Sequence, residues 1–149
     1  KHYWIWWAWA ILLLIISINF WWSLYTLWSP KENLGLIQFT FIAVESYLFY
    51  LLFRIFFDYY SELEVKDLKI QYYKHHVSFF IIFAVKYFLM FYVTLMIVSK
   101  LSAYEIFIMG PPILPILLII LALTKKHIIH GITTVLMLLF YFINLVAIG

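Results

Sequence analysis

The sequence predicts an all-α protein: a polytopic transmembrane helical bundle of about five spans with one short interfacial helix. Three observations lead there. First, the 149 residues are 67% hydrophobic and only 11% charged, with a mean hydropathy of +1.02. A soluble domain is roughly 45–50% apolar and about 25% charged, so this excess does not fit inside one small core. Second, the apolar residues fall in runs close to the ~20 residues that cross a bilayer as a helix. Third, no run shows the alternation over about 10 residues that a barrel strand needs. Backbone groups in lipid must find partners within the segment, which makes these runs helices. One integral membrane domain over 1–149, without a soluble module, follows.

The first run, about 3–28, holds all seven tryptophans. Trp4, Trp6, Trp7 and Trp9 crowd one end, and Trp21, Trp22 and Trp28 the other. Indole favours the interface because its ring is apolar and its N–H is wet. The run is too long and too Trp-rich for a cleaved signal peptide. "SPKEN" (29–33) is a turn, and the second run covers about 34–57. The segment 58–76 is the one long connection. Within it Ser61 and Glu64 have capping-box spacing, and Val65, Leu68 and Tyr72 recur at helical spacing. A short surface helix lying against the headgroups is expected there. The third run covers about 77–99, and "SKLSA" (99–103) leads to the fourth, about 104–124. That run contains "MGPPILP". Pro111 and Pro112 lack N–H donors, so a hinge is expected at Gly110, Pro111 and Pro112, unless the helix proper starts at Pro111. "KKH" (125–127) precedes the fifth run, about 128–148.

Five spans put the N-terminus, the 58–76 loop and the 125–127 turn on one face. That face collects Lys1, Arg54, Lys66, Lys69, Lys74, Lys125 and Lys126, against Lys31 and Lys100 on the other. Lys and Arg prefer the cytoplasmic side, so the chain is expected to start inside and end outside. It opens on Lys1-His2 rather than Met, and a further upstream span is expected. There is no cysteine, which excludes disulfides, thiolate metal sites and cysteine nucleophiles. No basic stripe supports nucleic-acid binding.

The candidate site residues are the polar groups inside the runs. Glu45 lies twelve residues before Phe57, roughly 18 Å deep at helical rise. Lys86 lies nine residues after Val77, roughly 14 Å deep. Their runs are neighbouring and antiparallel, so the two charges can meet at similar depth. A lone charge at mid-membrane costs about 2.5–3.5 kcal/mol on insertion scales, and a partner or a wet cavity reduces that cost. Gln38 is one heptad before Glu45 and shares its face, and Asn19, Ser17 and Ser23 add polar groups to the first run. Glu45, Lys86, Gln38 and Asn19 form a candidate polar seam, either a relay or solute path or a means of holding helices together. All five histidines fall on the inner side. His75, His76, His127 and His130 make a candidate metal or pH-sensing cluster there, although "HH" and "HIIH" fall short of the histidine boxes of membrane di-iron enzymes. No P-loop, HExxH motif or nucleophile elbow is present, and no cofactor is expected.

The stretches "FWWSLYTLW" (20–28) and "FFDYYSELEVKDLKIQYYKHHVSFF" (56–80) resemble a family of small, uncharacterised bacterial polytopic integral membrane proteins with a Trp-rich span. The likeness rests on the aromatic-Trp-Trp run, the paired Tyr72-Tyr73, the basic Lys74-His75-His76 and the pair Phe79-Phe80. It covers most of the chain. It implies a bacterial inner membrane location and one further N-terminal span, and carries no activity. Asn19 stands where a glutamine is more usual in the family.

Three functions compete at this level. One is permeation or transport of a proton, ion or small solute through the seam. Another is a non-catalytic membrane subunit whose buried charge pair is structural, with a second copy or a partner protein docking through 58–76. The third is a lipid-modifying membrane enzyme using the inner histidines.

Overall fold

The computed structural model describes residues 3–28, 35–57, 67–97 and 113–148. Among them the regular structure is helical: α1 (Trp4–Trp28), α2 (Leu36–Phe57), α3 (Leu68–Ile97), α4 (Ile113–Leu123) and α5 (His127–Ile148). Three segments, Trp4–Trp22, Phe39–Phe57 and Leu68–Tyr92, are long and apolar enough to cross a membrane. The apolar stretches of α4 and α5, Ile113–Leu123 and His127–Ile143, are shorter. Gly110, Pro111 and Pro112, the expected hinge, lie outside the described residues. The described part of α4 opens at Ile113, and its buried Pro115 is in the first turn, where a missing N–H is tolerated.

Helix starts follow local chemistry. Gly35 accepts the Phe39 N–H at 3.1 Å and opens α2. Asp67 accepts the Lys69 N–H on Oδ1 at 2.9 Å, an N-cap that opens α3. Thr124 closes α4 by donating its N–H to the Ile120 carbonyl at 3.1 Å, then accepts the Lys126 N–H on Oγ1 at 3.3 Å as the chain turns into α5.

The surface helix expected around Leu68 and Tyr72 is the beginning of α3 itself, and 58–66 lies outside the described residues. The physical reason is an unbroken period. Leu68, Tyr72, His76, Phe79, Phe80 and Phe83 are all buried at helical spacing, while Lys69 and Lys74 face out. No glycine or proline interrupts the 30 residues of α3. At helical rise they extend about 45 Å, against a hydrocarbon layer of roughly 30 Å.

α3 packs along both α2 and α4, and α1 packs along α5. Gly131 allows the second approach: a Cβ there would come within 3.3 Å of the Trp4 ring. The core is aromatic, with Trp9 fully buried and set edge-on against Phe79, Phe80 and Phe83 at 5.0–5.9 Å. The outside is apolar too. Ile11, Leu14 and Ile18 on α1, Val85 and Phe88 on α3, and Ile132, Leu136 and Leu139 on α5 are all exposed. Continuous apolar exteriors of this extent mark a surface that meets lipid.

Candidate functional site

Two polar regions occur among the described residues, one midway along the bundle and one at its end.

The middle region lies between α1, α2 and α3. Glu45 is 7% exposed and Lys86 1% exposed, each within a largely apolar helix. Glu45 Oε1 is buried without a hydrogen-bond partner. Lys86 Nζ lies 4.2 Å from the centre of the Phe49 ring, and 5.5 Å from the rings of Phe20 and Tyr87. Ring faces are negative, so this collar suits an ammonium in a buried place. Phe49 is one turn beyond Glu45, which places the acid and the collar on one side of α2. The Tyr87 hydroxyl is also buried without a partner. Of the other seam candidates, Asn19 is half-buried on α1, next to Phe20. Ser17 spends its hydroxyl on the Leu13 carbonyl of its own helix, at 2.8 Å. The side chains of Gln38 and Ser23 lie outside the described residues.

The end region joins the start of α1, the end of α2, the start of α3, the end of α4 and the start of α5. Trp6 stacks on Phe56 at 5.0 Å, Tyr3 tilts against Tyr72 and His127 at 5.4 and 5.6 Å, and Tyr72 meets His130 at 5.4 Å. His130, 0% exposed, is the centre of this histidine end. Its Nε2 is 2.8 Å from the Thr124 carbonyl, and its Nδ1 is 2.8 Å from the Tyr72 hydroxyl. A carbonyl only accepts, so Nε2 carries the hydrogen. In the neutral ring Nδ1 then accepts, and Tyr72 donates to it. Thr134 donates its hydroxyl to the His130 carbonyl at 2.6 Å. His76 follows the same logic: Nδ1 is 2.7 Å from the Tyr73 carbonyl and donates to it, which leaves Nε2 as the acceptor. Tyr3 donates to the Tyr73 hydroxyl at 3.3 Å. Burial, followed by that hydrogen bond, holds the Tyr3 phenol well above its usual range, so it stays neutral.

A partly open cavity of about 20 Å³ lies beside this network, lined by Trp6, Phe56, Tyr72, His75, His76 and Phe79. That is room for about one water molecule. At this end of the bundle Arg54, Lys69, Lys74, Lys125 and Lys126 are exposed.

Of the four histidines singled out in the sequence, the structure brings His76 and His130 together, with ring centres 5.9 Å apart, and places His127 against Tyr3. His75 lines the cavity. Among the described residues no group of three or more His, Asp or Glu side chains comes together as a metal site. Both nitrogens of His130 are already engaged. Sequence reasoning did not single out Tyr3, Tyr72, Tyr73, Thr124 or Thr134 as site residues. The i, i+4 spacing of Tyr72 and His76 was the available signal for part of the set.

The chain matches no family model, and no curated protein or solved structure is similar to it.

Proposed function

We propose that this is a permeation or transport protein for a proton or small ion, with Glu45 as its intramembrane acceptor and Lys86 as a built-in countercharge. The observation that carries the reading is the Glu45 Oε1 atom, buried at mid-helix without a hydrogen-bond partner. An unsatisfied buried oxygen of this kind costs about 1–3 kcal/mol, more if charged. A visiting proton, ion or water relieves that cost. In this reading the protein sits in a bacterial inner membrane with the histidine end facing the cytoplasm. The exposed Arg54, Lys69, Lys74, Lys125 and Lys126 at that end support the orientation.

The test is reconstitution into dye-loaded liposomes under an imposed pH or ion gradient. The wild type collapses the gradient faster than empty liposomes, and Glu45→Gln returns it to the empty rate while circular dichroism stays helical. Equal rates for the wild type and Glu45→Gln overturn the proposal.

A second reading is favoured by the aromatic collar that buries Lys86. Here the charges fix helix packing in a non-catalytic membrane subunit, and a second copy or a partner docks through 58–76. Unchanged flux in Glu45→Gln favours this alternative. The buried face of Leu68 and Tyr72 narrows the docking segment to the residues before α3.

A further inference from the structure

We propose that His130 is a proton-accepting site, loaded from the cavity at the histidine end through the Tyr72 hydroxyl, and that its protonation loosens the contact between α3 and α5. His130 is fully buried and has no route of its own to water. Its Nδ1 faces the Tyr72 oxygen, and Tyr72 also lines the cavity. The cavity has room for about one water, and Trp6, Tyr72, His75 and His76 are its lining residues that carry polar side-chain atoms.

The transfer balances without any other reactant. The Tyr72 O–H bond breaks as the His130 Nδ1–H bond forms. A proton from a hydronium in the cavity makes a new O–H bond on Tyr72 and leaves water behind. The net change is one proton on His130, with Tyr72 unchanged in composition. Afterwards Nδ1 is a donor, so the Tyr72 hydrogen must turn away from it and the tyrosine oxygen must accept instead. The Nε2 bond to Thr124 is unaffected.

The surroundings make the resulting cation unwelcome. From α1 the nearby titratable group is Tyr3. From α3 they are Tyr72, Tyr73 and His76. On its own helix they are His127 and, just before it, the exposed Lys126. α4 has none, and α1, α3, α4 and α5 contain no Asp or Glu in their sequences. An imidazolium there is buried, gives up the hydrogen that Tyr72 donated to it, and has no carboxylate on any of these helices to balance its charge. Protonation therefore weakens the junction, in which Tyr72 is the α3 side and His130 the α5 side. Its seat is the histidine end and its readout a ring signal, so it stands or falls separately from the Glu45 reading.

The experiment uses the full chain in lipid nanodiscs with ¹⁵N-labelled histidine rings, followed from about pH 8 to about pH 4. The signal lost in His130→Gln identifies the residue. At the high-pH end it shows a bare Nδ1 and a protonated Nε2. At the low-pH end both nitrogens are protonated, and the Trp fluorescence shifts in parallel. In Tyr72→Phe the ring loses its fast exchange with bulk protons, whereas Glu45→Gln leaves the signal unchanged. A hydrogen on Nδ1 at the high-pH end, a ring that never titrates, or exchange in Tyr72→Phe as fast as in the wild type overturns the proposal. If Tyr72→Phe fails to fold, the wild-type tautomer and its titration decide the matter alone.

Discussion

At the histidine end, His130 has each ring nitrogen engaged at 2.8 Å, Thr134 bonds back to its carbonyl, and Tyr3 reaches Tyr73. Midway along the bundle, Glu45 keeps an oxygen with no partner, and Lys86 rests on the face of Phe49. Both regions are buried and both are polar, yet one is closed by directional bonds and the other by charge and ring faces. The difference teaches which kind of perturbation each will resist. A neutral network loses one bond at a time. A pair of charges in an apolar slab fails together, because removing either leaves the other uncompensated.

That contrast is broken most directly by Lys86→Met, which keeps an apolar chain inside the aromatic collar and strands Glu45. Unfolding in detergent should show a loss of about 3–5 kcal/mol. Combining it with Glu45→Gln should restore most of that stability. A Lys86→Met protein as stable as the wild type would mean that the charges do not depend on each other. Next in size is Tyr72→Phe, which leaves His130 Nδ1 buried without its donor. The same assay should show a loss of about 1–3 kcal/mol. Tyr72 and Lys86 are fourteen residues apart on α3, roughly 21 Å. Their effects should therefore add to within about 0.5 kcal/mol, and a larger coupling would merge the two regions into one. The smallest effect belongs to the rim, where Asp67→Ala removes the cap of α3. It should cost about 1 kcal/mol, with hydrogen exchange rising in the first turn of α3 before anywhere else.

Much of the architecture was legible because lipid leaves few options. The runs at 3–28 and 34–57 became α1 and α2 within two residues at each end. The third run was placed nine residues late. Lys69, Lys74, His75 and His76 look like a solvated loop in a hydropathy scan, whereas the helical period of Leu68, Tyr72 and His76 already belonged to α3. Glu45 and Lys86 could be found by eye because charges inside apolar runs are rare. That the ammonium sits over Phe49 could not, since it depends on how far α2 and α3 rotate towards each other. The histidine end was half visible. Its histidines stood out by type, but Tyr3, Thr124 and Tyr72 are ordinary residues, and only the packing of α1, α3 and α5 joins them.

One uninterrupted rod carries both Tyr72 near its first turn and Lys86 some four turns further along. Such a rod has no joint between the two positions. A rigid tilt of the whole rod moves both positions together, whereas the loss of one contact at either position stays local, about four turns from the other. The acid on α2 and the imidazole on α5 thus lean on one continuous helix at well-separated heights.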